Sequence, residues 1–357
     1  MDRATTRARP SLGLARIDAP APWVIIGSMP ATQLGRRILV AAILLIACPR
    51  APQPADEPAP SPRESWISDD LQVRDLSGLA FDGDRLLVAR NRPGLGQTAQ
   101  IYALRPGADD RWAPVGQWSL LREDGPWVDA EAITPSGRGT ALVLVESLGG
   151  DGAGRIWEVS LPVGEGTVPV ELHRQWRLPE AYREVMGAGS EAMTRVPAPA
   201  DLPSAEGELW VLVGHQARAS IGLFRLSSDA ADPNTPIEAV RELATDFDDT
   251  SGMDWQDGSL FLWHNENLPT LGCRSSGARV NVLERYSWSA ASTPTELRGS
   301  RVQWKHPQPG DAPCRNLEGL ALGRCEGGVR TVYLVDDDAA PAAGARYEVE
   351  GLCGEGP

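Results

Sequence analysis

A five-residue motif recurs five times along this 357-residue chain, and it constrains the fold more than any other feature. Each copy begins with an acidic or small residue and continues to a Ser or Glu, a Gly or Ala, and a large aliphatic residue. The copies are Asp75–Leu79, Asp129–Ile133, Gly189–Met193, Asp249–Met253 and Asn316–Leu320. Repeats of a few tens of residues are typical of folds in which each unit buries its apolar face against its neighbours.

Strand-like segments follow every motif. The first is a hydrophobic run that ends in polar residues, such as 140–147 (TALVLVES), and a second run with alternating large residues comes next. Four repeats contain a further run, and Gly, Pro and Asp turns separate them all, which predicts antiparallel sheets. The predicted fold class is all-β: a single β-propeller of five four-stranded blades. Six blades, one of them degenerate, and two unrelated β-sandwiches are the alternatives.

The fifth repeat ends after its third strand. We therefore expect an N-terminal strand near Ser65 to Leu71 to close the ring. Strands of a blade run alternately down and up, so the start of each first strand and the end of each second strand share one face, called the top face below. The opposite face is called the bottom face.

The N-terminal region has the layout of an export signal. Arg36 and Arg37 precede an apolar stretch that ends in 45–48 (LIAC), which matches the lipobox of bacterial lipoproteins. This predicts a signal region over 1–47 (with Met29 as an alternative start), a lipidated Pro-rich tether over 48–64, and the propeller over 65–357. The acylated Cys48 would anchor the chain to the lipid membrane of a bacterial cell envelope, facing the periplasm or the exterior. A short transmembrane anchor is the alternative.

Four more cysteines test this layout. Cys273 and Cys314 fall on the top face of adjacent blades, and Cys325 and Cys353 fall on the bottom face of the fifth blade. An exported protein meets an oxidising compartment, so an even cysteine count favours disulfides. The topology predicts the pairs Cys273–Cys314 and Cys325–Cys353.

The charge of the chain argues against nucleic-acid binding. Its formal net charge is −14, and Lys305 is its only lysine. Phosphate backbones are bound by clustered Lys and Arg, which an acidic surface does not provide.

Polar residues gather on the predicted top face. The first strands place carboxylates or hydroxyls there, and the second strands end there with acidic, amide and imidazole groups. The candidate metal ligands are Glu131, Glu191, Glu318, Asp336 and Asp337. The further rim candidates are Asp75, Ser77, Asn91, Asp129, Glu146, His215, Asp249, Ser251, His264, Asn265 and Asn316.

The polar residues of this rim allow three interpretations. Its oxygen atoms suit Ca²⁺, and its imidazoles would suit a transition metal. Crowded carboxylates could instead raise the pKa of one member and make it a general acid or base. Polar residues at strand ends also stabilise turns, which requires no ligand.

The repeats resemble those of exported bacterial propellers of the phytase-like, SMP-30/gluconolactonase-like and apyrase-like kinds, most clearly over Asp249–Asn267 and Asn316–Asp338. That resemblance implies Ca²⁺-dependent hydrolysis of phosphoesters or lactones. Two hypotheses follow. The first is an envelope lipoprotein that binds an unknown ligand or envelope protein at its top face, with or without Ca²⁺. The second is a metal-dependent hydrolase that uses the same carboxylates.

Overall fold

The computed structural model describes most of the predicted propeller. The described residues are 66–91, 99–107, 111–120, 127–162, 167–185, 189–229, 234–245, 247, 249–266, 280–287, 299–305, 317–337 and 342–353. The predicted signal region and tether, Cys48 included, lie outside these residues, and so do Cys273, Cys314 and Asn316.

Within the described residues, twenty strands form five sheets, and the strands within each blade pair in antiparallel order. Blade one contains β1 (Leu76–Asp82), β2 (Arg85–Arg90), β3 (Gln100–Pro106) and β4 (Trp112–Ser119). Blade two contains β5 (Val128–Gly137), β6 (Thr140–Leu148), β7 (Arg155–Ser160) and, after the short β8 (Thr167–Pro169), β9 (Glu171–Arg177). β8 pairs in parallel with β4, so it covers the outer edge of blade one.

The other three blades repeat this order. Blade three contains β10 (Ser190–Val196), β11 (Leu209–His215), β12 (Ser220–Leu226) and β13 (Ala239–Ala244). Blade four contains β14 (Thr250–Gln256), β15 (Ser259–Glu266), β16 (Val280–Ser287) and β17 (Gly299–Lys305). Blade five contains β18 (Leu317–Glu326), β19 (Val329–Asp336) and β20 (Ala343–Glu350).

The first strands of the blades form a closed ring around the channel. Each of β1, β5, β10, β14 and β18 packs against the next, and β18 packs against β1. The prediction of an all-β, five-bladed propeller is therefore confirmed. Small residues in the motif permit this approach: a Cβ at Gly78 would lie 2.6 Å from the Ala132 Cα, and one at Gly319 would overlap the Ser77 carbonyl oxygen.

The core is divided among the five blade interfaces. Five clusters of buried apolar residues occur, one between each pair of neighbouring blades. Alternation along the second strands produces this division, because successive side chains point to opposite faces of a sheet: Leu87 joins the interface with blade two and Leu86 joins the interface with blade five. Both faces of each sheet are buried, which explains the continuous hydrophobic runs in the sequence. Trp157, Trp176 and Trp210 fill the space between blades.

The segment that precedes β1 lies where the ring closes, between blades one and five. Ile67 forms a parallel bridge with Trp112 of β4, and the Trp66 indole N–H donates to the Leu334 carbonyl of β19 at 3.0 Å. The segment was expected as the fourth strand of blade five. In the described residues its one bridge is with blade one instead, and blade five has three strands. A side chain, rather than a backbone ladder, makes the contact with blade five.

The disulfide Cys325–Cys353 is present, as predicted, with a Cα–Cα distance of 5.7 Å. It joins the hairpin between β18 and β19 to the end of β20 on the bottom face. Among the described residues, no helix has the length and apolar character needed to cross a membrane.

Candidate functional site

The motif of each first strand coincides with an irregularity in its pairing with the second strand. The register shifts between Leu76 and Leu79 in blade one, and between Ala130 and Ala132 in blade two. Blades three, four and five show the same shift at Ser190/Ala192, Thr250/Gly252 and Glu318/Ala321. β-Bulges redirect side chains and are common beside active sites. Here they occur in all five blades at the residues that line the channel mouth.

Three glutamates from three blades converge at this mouth. One carboxylate oxygen from each of Glu131, Glu191 and Glu318 lies within 4.8 Å of the others, and all three side chains are buried. The Ser77 hydroxyl donates to the Glu131 Oε2 at 2.6 Å and lies 3.1 Å from the Glu318 Oε2. The Ser251 hydroxyl is buried in the same ring, and no hydrogen-bond partner for it occurs among the described residues. These residues form the axial cluster.

A second carboxylate group adjoins the axial cluster on the side of blade two. Asp129, Glu131 and Glu146 also bring one oxygen each within 4.8 Å of one another. The Glu146 Oε1 is buried and has no hydrogen-bond partner in the described part of the chain. Glu146 reaches this position because its neighbour is a glycine: a Cβ at Gly189 would overlap the carboxylate.

The pKa values of these carboxyl groups are shifted strongly upward. Burial first, and neighbouring carboxylates second, raise the pKa of Glu131 and of Glu191 well above the usual range. Burial, followed by the charges of Asp129 and Glu184, raises the pKa of Glu146 to about 8. The contrast is Asp151 on the same face, whose pKa a hydrogen bond from Arg155 lowers to about 2. In the described residues, the charges that act on Glu131, Glu146 and Glu191 are those of other carboxylates, an arrangement that favours bound protons or a metal ion.

Other predicted rim residues lie around the two clusters. Asp337 contributes to the raised pKa of Glu131, and Asp249 contributes to that of Glu191. Asp336 is buried at the end of β19. Asp75 and Asp249 have left-handed backbones, with φ of 60° and 58°, immediately before their strands. Aspartate tolerates this conformation well, so Asp75 and Asp249 also stabilise the turns that lead into the first strands of blades one and four.

Asn91 follows β2, where its backbone N–H donates to the Asp75 carbonyl at 2.7 Å. This contact ties the entry turn of blade one to the end of its second strand. The side chain of Asn265 lies outside the described residues, as does Asn316.

The two rim histidines are engaged away from the carboxylates. The His215 Nδ1 accepts from the Ala217 backbone N–H at 3.1 Å, which leaves the Nε2–H to donate to the Arg183 carbonyl at 3.3 Å. Burial lowers the pKa of this imidazole. His264 is completely buried in blade four, between the Thr250 hydroxyl at 3.2 Å and the Glu284 carboxylate at 3.0 Å. Both rings therefore act in structural hydrogen bonds in this structure.

Two features near the site have no counterpart in the repeat pattern. Glu184 acts on Glu146 from the segment between blades two and three, outside any motif. Glu284 and Tyr286 form a buried hydrogen-bonded pair below His264. No periodic signal marks either feature, because both depend on how neighbouring segments pack.

The axial cluster fits a hard divalent cation. Ca²⁺ binds oxygen ligands at about 2.3–2.6 Å, so two ligands of one ion are at most about 5 Å apart. The oxygens of Glu131, Glu191 and Glu318 satisfy that limit, and the Ser251 hydroxyl offers a further oxygen. The set contains neither sulfur nor imidazole, so it suits Ca²⁺ better than a softer transition metal.

The fold and the site together define a class of protein: a five-bladed β-propeller whose channel mouth presents buried carboxylates. The family model described as "Phytase-like: Esterase-like activity of phytase" matches residues 72–339, more than half of the chain. The chain therefore belongs to the phytase-like family, and its predicted resemblance to phytase-like propellers is confirmed. No curated protein sequence matches the chain.

Several solved structures share part of this arrangement at low identity. An exo-β-1,3-galactanase from Phanerochaete chrysosporium is 12% identical with a TM-score of 0.46, and the match covers 81% of this chain and 65% of that chain. A GH43_1 enzyme from Xanthomonas citri is 14% identical with a TM-score of 0.44, covering 81% and 90%. A mannose phosphorylase from Leishmania mexicana is 10% identical with a TM-score of 0.44, covering 82% and 90%. The chain thus spans less than two thirds of the galactanase.

Proposed function

We propose that this protein is a Ca²⁺-dependent hydrolase of phosphoesters, with lactones as the alternative substrate class, and that its active site is the axial cluster. The observation that carries the proposal is the convergence of Glu131, Glu191 and Glu318 within 4.8 Å in a buried setting. The family description, which names esterase-like activity, supports hydrolysis rather than binding alone.

Each residue has a role in this proposal. Glu131, Glu191 and Glu318 hold the cation, and the Ser77 hydroxyl orients the Glu131 carboxylate through its 2.6 Å hydrogen bond. When bound, the cation would polarise the ester and lower the pKa of a water molecule. Glu146, whose pKa is raised to about 8 in the metal-free site by burial and by Asp129 and Glu184, is the proposed proton donor to the leaving group.

The closed channel supports entry of the substrate from the top face only. Glu131, Glu191 and Ser251 share a space of about 10 Å³ with neighbouring apolar residues such as Met193 and Met253. That is roughly the size needed for one water molecule. A substrate therefore cannot cross the channel at this level, and the reacting bond must lie above the carboxylates.

The exported, lipid-anchored location belongs to the same proposal. Trp66 hydrogen-bonds with Trp112, which starts β4 on the bottom face. A tether that precedes Trp66 would then join the propeller opposite the carboxylates.

The test is hydrolysis of p-nitrophenyl phosphate by the purified chain with Ca²⁺, Mg²⁺, Zn²⁺ or EDTA. We expect turnover with Ca²⁺ that EDTA abolishes and that the Glu191→Gln/Glu318→Gln double variant lacks. Glu171→Gln, an exposed position on β9, is the matched control and should keep full activity. Equal turnover in the double variant would refute the assignment of the site.

A second candidate function is ligand binding without catalysis, supported by a structural Ca²⁺. The near-complete burial of Glu131 and Glu191 favours it, since a structural ion is often enclosed. Stabilisation by Ca²⁺ without turnover of any phosphoester or lactone would select this candidate.

A further inference from the structure

A separate chamber lies at the bottom end of the channel. At the level of Met193 and Met253 only about 10 Å³ is free, room for roughly one water molecule, so a ligand cannot pass between the two ends. Below this constriction, a cavity of about 390 Å³ lies between the second halves of β1, β5, β10 and β14. Small-molecule sites in proteins occupy about 300–1,000 Å³. This cavity, the lower chamber, has Phe81, Thr134, Thr194, Asp254, Trp255 and Gln256 in its lining.

Three of these side chains occupy one position of the repeat. Thr134, Thr194 and Asp254 each lie three residues after the channel-mouth residue of their motif. The equivalent residues of blades one and five are Ala80 and Ala321. The polar wall of the lower chamber therefore comes from blades two, three and four, and closure of the ring of first strands brings these groups together.

The two threonine hydroxyls of this wall have no partner within the described residues. Thr134 and Thr194 are only 6% and 4% exposed, and neither hydroxyl makes a hydrogen bond to the described part of the chain. The indole N–H of Trp255 is also buried without a partner among those residues. Buried polar groups are normally hydrogen-bonded, because each one left unpaired lowers the stability of the fold. These three groups therefore indicate a polar ligand in the lower chamber.

Asp254 and Gln256 add an acceptor and a donor to the lower chamber. The Asp254 Oδ2 accepts the Leu322 backbone N–H at 2.9 Å, and a carboxylate has the capacity for further hydrogen bonds. Burial raises the pKa of Asp254 to about 6, against the opposing effect of the Arg330 charge, so this carboxylate is ionised at neutral pH. The Gln256 Oε1 accepts from Arg330, which leaves the amide N–H groups of Gln256 for a ligand.

The remaining lining defines the chemical class of the ligand. Phe81 and Trp255, both partly buried, contribute aromatic rings. Among the lining residues, Arg195 and Asp254 carry opposite charges, so the lower chamber favours neither an anion nor a cation. A purely apolar molecule would leave the hydroxyls unpaired. A neutral molecule that combines hydroxyl groups with apolar faces, as a sugar ring does, matches all of these features.

We infer that the lower chamber binds a neutral, hydroxyl-rich ring compound of the size of a monosaccharide. The hydroxyl groups of the ligand form hydrogen bonds with Thr134, Thr194 and Asp254, and its C–H faces pack against the aromatic rings of the lining. This site lies at the opposite end of the channel from the axial cluster. The inference therefore goes beyond the proposed function and does not depend on it.

The direct test is binding of the methyl glycosides of glucose, galactose and mannose to the full chain, measured by saturation-transfer difference NMR. We expect at least one of these neutral sugars to bind saturably. The corresponding hexuronate, which is negatively charged, and the hexosamine, which is positively charged, should bind more weakly. Absence of saturable binding by all three glycosides, or a preference for a charged sugar, would overturn the inference.

Thr194→Val tests where the sugar binds, because valine has a similar shape and lacks the hydroxyl. We expect the affinity for the glycoside to fall about fivefold, the usual effect of losing one hydrogen bond. The melting temperature should not fall, since this hydroxyl has no partner among the described residues. The matched control is Thr235→Val, at an exposed position between β12 and β13, which should bind as the wild type does. Equal affinities of Thr194→Val and the wild type contradict the proposed site.

The Glu191→Gln/Glu318→Gln double variant separates this site from the axial cluster. It should bind the glycoside with the affinity of the wild type, and a loss of binding would place the sugar at the top face and overturn the inference. If the wild type hydrolyses neither phosphoesters nor lactones but binds a glycoside that Thr194→Val binds more weakly, the proposed function fails and the lower chamber stands.

Discussion

The two ends of the channel differ in whether their charged groups have partners of opposite charge or hydrogen-bond donors. On the bottom face, Asp254 accepts the Leu322 backbone N–H at 2.9 Å, and Arg330, almost completely buried, pairs with Asp257 at 2.7 Å. On the top face, Glu131, Glu146 and Glu191 crowd together without a protein cation in the described structure. Burying charges without partners destabilises a fold. The contrast therefore teaches that the charges of the bottom face serve stability, whereas those of the top face are arranged for a cation.

Among changes at the bottom face, loss of the disulfide should lower the free energy of unfolding most. Replacing Cys325 and Cys353 with serine opens a loop with a sequence separation of 28 residues. We expect the free energy of unfolding to fall by about 3–4 kcal/mol, measured by urea denaturation. Phosphate and Ca²⁺ affinities at the top face should stay unchanged, and a loss of either would contradict the separation of the two ends.

The buried arginine should give the next largest effect. Arg330→Met removes the ion pair with Asp257 and hydrogen bonds to Gln256 and to the Gly323 carbonyl. We expect a loss of about 2–3 kcal/mol in the free energy of unfolding. Arg225→Met, in which the lost side chain is 43% exposed and pairs with Glu208 at 3.8 Å, should cost less than about 1 kcal/mol in the same assay. Equal losses would show that burial of Arg330 is unimportant.

The pH dependence of stability should distinguish the two ends next. Because folding raises the pKa of Glu146 to about 8, the metal-free folded state binds a proton more tightly than the unfolded state. This contribution is fully present below about pH 4.5 and is lost as the pH rises through about 8. Burial raises the pKa of Asp254 to about 6, so the dependence of stability on its ionisation is mostly complete by about pH 6.5. In EDTA the stability should therefore still fall between pH 6.5 and 8, and Glu146→Gln should lessen that fall by about 2 kcal/mol, while the part due to Glu131 and Glu191 remains.

The smallest effects should have opposite signs at the two ends. At pH 8 in EDTA, Glu191→Gln removes a carboxyl group whose charged form is disfavoured by burial and by neighbouring carboxylates, and it should stabilise the fold by about 1 kcal/mol. Asp257→Asn removes the charge that pairs with the buried Arg330 and should destabilise it by about 1 kcal/mol. Chemical denaturation of the two variants measures both. Destabilisation by Glu191→Gln would mean that this carboxylate has a stabilising partner.

The motif made the ring of first strands predictable, because Ser77, Glu131, Glu191, Ser251 and Glu318 occupy equivalent positions in the repeat. Their meeting at the channel mouth follows from closing five such units. The bulges that redirect these side chains were not predictable, since one skipped residue leaves no periodic trace. His215 and His264 show what the repeat pattern cannot predict. Their equivalent strand positions predict that both rings lie near the same face of the propeller, whereas local packing determines which atoms each ring contacts.

The segments that precede the first blade or connect two blades were also harder to predict, because no repeat pattern covers them. The position of the segment at Trp66 depends on one indole hydrogen bond and one bridge, and neither has a sequence signature. Glu184 was missed because it lies in a connecting segment, where the repeat imposes no order. Lipid anchoring through Cys48 stays a prediction.

The central claim is that the axial cluster binds a divalent cation. The most direct test is calorimetric titration of Ca²⁺ into EDTA-treated, dialysed protein at pH 8, with the wild type, Glu171→Gln and the Glu191→Gln/Glu318→Gln double variant. We expect saturable binding of Ca²⁺ to the wild type and to the control, and loss of this binding in a double variant that still folds. Absence of binding in the wild type, or undiminished binding in the folded double variant, would contradict it.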